Sequence, residues 1–408
     1  MPIRWAVMAL LIVPAFGYGE ELDSLTKNPQ LTLPEVIEKA YLRSPRQHVL
    51  NAGQTVAQAR ATHANSLLPA PPAISFRHQN DTIGSNRNLS EWEAGVELPV
   101  WMPGQRSARA SVAREAEAGL ATSRQELKLE LAGQVREAVW DLTMTTSNAA
   151  LAEDRLNTAQ SLQSDVEKRW KAGELAKTDV MLAQNETLQA RTALLRAQAE
   201  VKHAEHRYWM LTGLKEFPAV LEERPVDRSE IDDDHPALAE MAARIQLARN
   251  ERDLVQVERR ENPQITINAR HDRGAFDNQF NSSLGLAVRI PLDAQVRAAP
   301  LVAGAEMNLA QAMNERDQRL ITLQASLHES EHNLEVTRAE LDIVENQHKL
   351  AQENLRLAKK AFDLGEFDLV TLLRARAMAQ EAERSLSSRR IQLQWNIARH
   401  HQALGVLP

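Results

Sequence analysis

The chain contains no cysteine. That excludes a disulfide framework, thiolate catalysis and cysteine-based metal sites, and it leaves no cysteine for a lipid anchor on a mature N-terminus. Aromatic residues make up 4% and hydrophobic residues 43% of the 408 positions, low values for a chain built around thick cores. There is no excess of basic charge, since 48 Lys and Arg face 55 Asp and Glu for a formal net charge of -7. No nucleic-acid partner is expected from that balance. Beyond the first residues no run approaches the ~20 apolar residues a membrane-spanning helix needs. Proline is missing from 104–217 and again from 301–407. What fills those tracts is Ala, Leu, Gln, Glu and Arg, the composition of long helices.

Residues 1–19 carry Arg4, the apolar run Trp5 to Phe16 and small residues at Gly17 and Gly19. A basic start, an apolar middle and a small-residue exit make a secretory signal peptide, so export is expected. An ordinary buried N-terminal helix is the competing reading.

The remainder repeats itself at an offset of 192 residues: Pro99 with Pro291, Gly173 with Gly365, Glu174 with Glu366, and Gly213 with Gly405. The unit is larger than a solenoid repeat and reads as a duplicated half-domain. The division is 20–213 for the first repeat, 214–235 for a connector and 236–408 for the second. The connector holds Pro218, Pro225 and an acidic run at Asp232 to Asp234, and reads as irregular chain over the surface.

In the first repeat Thr32, Pro34 and Glu35 form a helix-start signature, and Pro45 ends that short helix. A second helix over about 46–67 stops at Pro69, Pro71 and Pro72. The period then changes from about 3.6 to 2. Strands are expected at about 73–80 and 89–100, where Trp92, Ala94, Val96, Leu98 and Val100 alternate with Glu91, Glu93, Gly95, Glu97 and Pro99. The second repeat places strands at about 264–271 and 283–292, with Leu286, Val288 and Ile290 on one face and Arg289 on the other. Four strands cannot close a barrel or cover their own apolar face. Their length and two-faced character match an outer-membrane barrel with a wet lumen; a small soluble sandwich is the alternative.

Two helical hairpins follow, at 104–213 and 295–405. Each turns once, at 171–176 and at 363–367, around Gly173 and Gly365. Leu320, Leu327, Leu334, Leu341, His348, Leu355 and Phe362 fall at strict seven-residue steps, which hold a seam against a partner helix. The matching positions of the first repeat are Val135, Leu142, Ala149, Leu156, Gln163 and Trp170.

In order along the chain, LTLPEVIEKAYLRSP, LLPAPPAISF, GVELPVWMPGQRSAR, RWKAGELAKTDVMLAQNE, YWMLTGL, HPAL, NPQITI, VRIPLD and AFDLGEFDLVTLL resemble the TolC-type outer-membrane efflux proteins over nearly the whole mature sequence. The resemblance implies a mainly α fold with a small β part, in which duplicated half-domains give long α-helical hairpins and four strands to a trimeric 12-stranded outer-membrane barrel. It implies a homotrimer in outer-membrane lipid, with its helical part in the periplasm, acting as the passive duct of a tripartite efflux or secretion system. The cargo would be small molecules or metal ions, driven by an inner-membrane pump through a periplasmic adaptor. Carried over by position, Arg169, Gly173, Asp179, Gly365 and Glu366 are the adaptor-contacting tips. Glu91, Glu93, Glu97 and Arg289 would line the barrel lumen, and Trp92, Val96, Leu98, Leu286, Val288 and Ile290 would face lipid. Thr371 and Arg374 stand where relatives narrow the entrance with aspartates, so a cation preference does not carry over.

The resemblance implies no enzyme, no cofactor and no metal site. The residues themselves offer one enzymatic alternative: His328-Glu329-Ser330-Glu331-His332 matches HExxH, the pattern of a zinc hydrolase. No third ligand follows at a suitable spacing, and a solvated helix surface is the better account of the pair. His203 with His206 and His400 with His401 read as surface histidines, and a structural periplasmic coiled-coil protein is the remaining alternative.

Overall fold

The computed structural model describes residues 24–226, 228–292 and 295–408. The expected signal segment lies outside them, as do three positions near the connector and the second hairpin. The elements run β1 (Thr26–Asn28), α1 (Leu33–Arg43), α2 (Arg46–Asn65), β2 (Ala73–Asn80), β3 (Ser90–Pro99), α3 (Gln105–Lys171), α4 (Lys177–Thr212), β4 (Glu216–Pro218), α5 (Pro236–Val257), β5 (Gln264–Arg273), β6 (Asn281–Arg289), α6 (Gln295–Asp363) and α7 (Leu369–Ala403). At 1.5 Å per residue the 67 residues of α3 span about 100 Å.

Helix α1 starts where its residues demand it. The Glu35 carboxylate accepts from the backbone N–H of Thr32 at 2.9 Å, with Pro34 in the first turn. Its apolar face, Leu33, Val36, Ile37 and Ala40, packs against Val135, Val139, Trp140 and Leu142 of α3 and Tyr208 of α4. This is the largest buried cluster among the described residues, and it sits at mid-height on the long helices. The connector belongs to it, contrary to the surface path expected from sequence. Glu216–Pro218 pairs parallel with Thr26–Asn28, Phe217 and Leu221 are buried, and the Tyr208 hydroxyl donates to the carbonyl of Glu216 at 2.9 Å. Three-residue strands have too few positions to show a period, and Pro218 disguises one of them.

The other four strands form one antiparallel sheet in the order β2-β3-β5-β6. Its two halves join through the middle: Val96 stands opposite Ile74 on one side and Ile267 on the other, and Ile267 opposite Leu286. The two outer strands, β2 and β6, each keep one edge unpaired among the described residues.

Below the sheet the helices lie side by side. Helix α3 packs on α2 and α4 along one flank and on α5 and α7 along the other, with α6 beyond α5 and α7. The two hairpins turn through Gly173 at φ 82° and Gly365 at φ 78°, a left-handed conformation that costs glycine little. The returning helices start by complementary means. The Asp179 carboxylate accepts from the backbone N–H of Ala176 at 3.0 Å, whereas Asp368 stands at the cap itself and accepts from the N–H of Thr371 at 2.8 Å.

The seven-residue seam of α6 is buried or half-buried from Leu320 to Phe362. In α3 the equivalent line drifts. Near the first tip Leu162 and Val166 are buried, while Trp170 is 40% exposed. An α-helix advances by 3.6 residues per turn, so a long helix that serves several neighbours in succession does not keep one 3.5-residue stripe.

Candidate functional site

The sheet has two chemically distinct faces, and register puts every strand in phase. One face carries Ile74 and Phe76, then Trp92, Val96 and Leu98, then Ile265 and Ile267, then Leu284, Leu286 and Val288, with Ile290 continuing the line past the strand end. Ile74 and Leu284 are each 85% exposed, so this apolar surface has no cover among the described residues. At the loop end it finishes in rings: His78 stacks on Trp92 at 3.8 Å and His271 on Phe280 at 4.6 Å. The opposite face carries Glu91, Glu93 and Glu97 half-buried beside Asn268 and Arg270, with Arg289 on the same face of the last strand. Arg270 Nη2 lies 3.1 Å from Glu91 Oε2, and Asn268 donates to Glu93.

The helical layer has open edges too. Along α4, Met181, Leu188 and Leu195 recur every seven residues, each more than 60% exposed. Along α6, Ile343, Leu350 and Leu357 recur at the same step, each more than half exposed, and Leu364 continues the line just past its end, on the side away from the seam that meets α7. A heptad stripe with no partner is half of a coiled-coil contact.

At the hairpin tips Gly173 and Gly365 have open space where a side chain would project, and Glu366 is exposed. Arg169 and Asp179 are already engaged inside the chain. Arg169 reaches the other tip, with Nη1 donating to the carbonyl of Phe362 at 3.3 Å, Nη2 3.2 Å from Asp363 Oδ1, and its guanidinium over the Phe362 ring at 5.0 Å. Asp179 serves as the helix cap described above. At the start of α7 Arg374 is exposed and Thr371 half-exposed. Hydrogen bonds from the Thr371 side chain and N–H hold the Asp368 carboxyl below its ordinary range, with a smaller contribution from the charge of Arg374.

One site escaped the sequence reading altogether. Arg136 is 1% exposed, and its guanidinium donates twice to the Glu223 carboxylate (2.8 and 2.6 Å), once to the side-chain carbonyl of Gln402 (2.7 Å) and once to the carbonyl of Val406 (2.9 Å). His401 Nδ1 lies 2.9 Å from Glu223 Oε2. His401 is 2% exposed, which corrects its assignment as a surface histidine. Burial pushes the Glu223 carboxyl up, but hydrogen bonds and charge from His401 and Arg136 outweigh it and leave it below the ordinary carboxylate value. The node ties α3, the connector and the chain's end together. Only the Arg-Glu-His inventory was visible in sequence, with no local spacing to join residues so far apart.

His328 and His332 are both exposed on an uninterrupted helix, and His203 and His206 are exposed on α4. Among the described residues no group of three or more His, Cys, Asp or Glu side chains could hold a metal ion. Nor is any described helix long and apolar enough to cross a membrane.

Residues 228–406 match the family model described as outer membrane efflux protein. Among curated protein sequences, none matches the chain. Solved structures are similar in fold at low identity. The outer membrane protein VceC from Vibrio cholerae is 17% identical with a TM-score of 0.72, over 92% of this chain and 96% of that one. The CmeC outer membrane channel of Campylobacter jejuni is 14% identical with a TM-score of 0.74, over 99% and 93%. The MtrE outer membrane channel of Neisseria gonorrhoeae, in its open state, is 14% identical with a TM-score of 0.69, over 100% and 98%. The match to the outer membrane efflux protein family thus covers the second part of the chain, and the described chain shares its fold with outer membrane channels of known structure.

Proposed function

We propose that three copies of the chain close into one passive duct, the exit channel of a tripartite efflux or secretion system. The observation that carries this is the matched incompleteness of the two edges. The sheet ends in unpaired strands β2 and β6, and the helical layer ends in unpartnered stripes on α4 and α6. Because the chain is a duplicated half, the join between its own repeats is a template for the join between chains. The β3–β5 pairing inside the chain supplies the pattern for β6 against the neighbour's β2. Closed rotation satisfies every such edge without leaving a free one.

In this assembly the apolar face, with Trp92, Val96, Leu98, Leu286, Val288 and Ile290, meets lipid, and Glu91, Glu93, Glu97 and Arg289 line the lumen. The long helices continue the duct through the periplasm. Gly173, Gly365 and Glu366, left open at the tips, meet the periplasmic adaptor that couples the duct to an inner-membrane pump. Arg169 and Asp179 shape those tips from within, one by bridging them and one by capping a helix. Thr371 and Arg374 flank the entrance, where no ring of aspartates imposes a cation preference. Energy comes from the pump; the chain supplies walls. Small molecules or metal ions are the cargo classes consistent with such a duct.

Membrane fractionation tests the reading. Detergent-dependent trimers that dissociate on heating, found in the outer-membrane fraction, are the expected result. A monomer soluble in plain buffer would overturn it and favour a structural periplasmic coiled-coil protein.

A further inference from the structure

The HExxH histidines are left without a role by the channel reading, and the internal repeat says where they go. Inside one chain α3 lies against α7 through a ladder of contacts. Gln402 donates to the carbonyl of Leu129 at 2.8 Å and accepts from Arg136 at 2.7 Å, Glu137 holds Arg399 at 2.8 Å, and Ser147 meets Ser387 at 2.7 Å. Trp140 and Ala398 share the same buried cluster. Moving α3 residues forward by 192 and α7 residues back by 192 turns this ladder into the contact between α6 of one copy and α4 of the next.

Each rung has a sensible counterpart. Leu129 and Gln402 become Ile321 and Met210, both large, apolar and more than half exposed in the single chain. Ser147 and Ser387 become Ala339 and Leu195, again an apolar pair. Glu137 and Arg399 become Glu329 and Arg207, an acid and a base in the same order. Trp140 and Ala398 become His332 and His206, while Arg136 becomes His328 and Trp395 becomes His203. All four of these histidines are exposed in the single chain, and His332 lies in line with Ile321 and Ile343 on the unpartnered stripe of α6.

We propose that each seam between copies holds a divalent transition-metal site of the zinc class. Its ligands are His328 and His332 from one copy and His206 from its neighbour, with His203 beside them. Histidines one helical turn apart present both imidazoles to one ion, and a third imidazole from a facing helix makes the three-nitrogen set that zinc accepts. The remaining position is left to water, and the Glu329–Arg207 pair across the seam fixes the register. No single chain can assemble the site, which is why three suitable ligands do not converge among the described residues of one copy. The ion acts as a staple between subunits, not as a catalyst.

The proposal rests on the trimeric reading, and the experiment separates the two. Detergent-purified trimer, stripped with chelator and then dialysed against zinc chloride, should retain three zinc ions per trimer, and its heat dissociation should shift upward by several degrees. His332→Ala and His206→Ala, on opposite helices, should each abolish both effects while the metal-free trimer persists. Retention of zinc in either variant, or no zinc in a verified trimer, overturns the site. Failure to obtain any trimer overturns the assembly instead. As a check on register, Glu329→Arg should weaken the metal-free trimer and Arg207→Glu should restore it in the same chain; no rescue in a verified trimer counts against the seam.

Discussion

The junction between the two repeats and the outer edges of the chain are built from the same pattern and finished differently. At the junction Arg136 is buried and fully partnered; 192 positions on, His328 stands in solvent. Trp140 is packed in the main cluster, and its counterpart His332 is exposed. Phe362 is buried between the tips, whereas its counterpart Trp170 is 40% exposed. A duplicated half carries the same contact surfaces twice, but only one of its joins can be made within a single chain. In the proposed trimer the residues at the unmade join are those that a neighbour would cover.

Breaking the finished join should produce the largest effect. Arg136→Ala leaves the Glu223 carboxylate buried without its guanidinium and should cost about 3–5 kcal/mol. Calorimetry of the purified protein should show a correspondingly lower melting temperature, and an unchanged melting temperature would mean the node is not structural. The same node predicts a pH dependence. The Glu223 carboxyl is held below its ordinary value in the folded chain, so its stabilisation is complete above the unfolded carboxylate pKa of about 4.3. It is lost as pH falls through the lower folded value. Wild type should lose more stability than Glu223→Gln across that acidic window, measured by denaturant titration.

Attacking the unmade join at the sheet should act on assembly. Val96→Arg puts a charge on the apolar face and should cost about 2–4 kcal/mol if that face meets mid-bilayer lipid. The readout is the fraction of protein reaching the outer membrane as trimer, and normal assembly would reverse the assignment of faces. The smallest effects are expected at the tips, where both helix starts are exposed. Asp368→Ala removes the N-cap of α7 and should loosen its first turn without lowering the global melting temperature. Hydrogen exchange at the first turn of α7 should accelerate, with the mid-height cluster untouched.

The sequence reading went furthest where a period was long enough to count. The alternation of Trp92 to Val100 and the seven-residue steps of Leu320 to Phe362 are local patterns, and the strands and seam observed fall on them. The glycines at 173 and 365 marked both turns because a left-handed residue is needed there. What escaped was non-local or short. Thr26–Asn28 and Glu216–Pro218 pair across most of the first repeat, and Arg136, Glu223 and His401 meet only once the connector has folded back onto α3. His401 looked like its neighbour His400, since nothing in a run of two histidines says which one points inward. Resemblance places Arg169 at the first tip, and no local pattern shows that it reaches Phe362 and Asp363 of the other tip.

Disulfide trapping tests the central claim most directly, because the cysteine-free chain allows a single pair to be introduced. Ala339→Cys with Leu195→Cys places thiols at the counterparts of Ser147 and Ser387, whose hydroxyls lie 2.7 Å apart within the chain. On mild oxidation the double variant should run as a covalent trimer on denaturing gels, and neither single variant should. A double variant that stays monomeric under oxidation, while assembled in the membrane, would contradict the account.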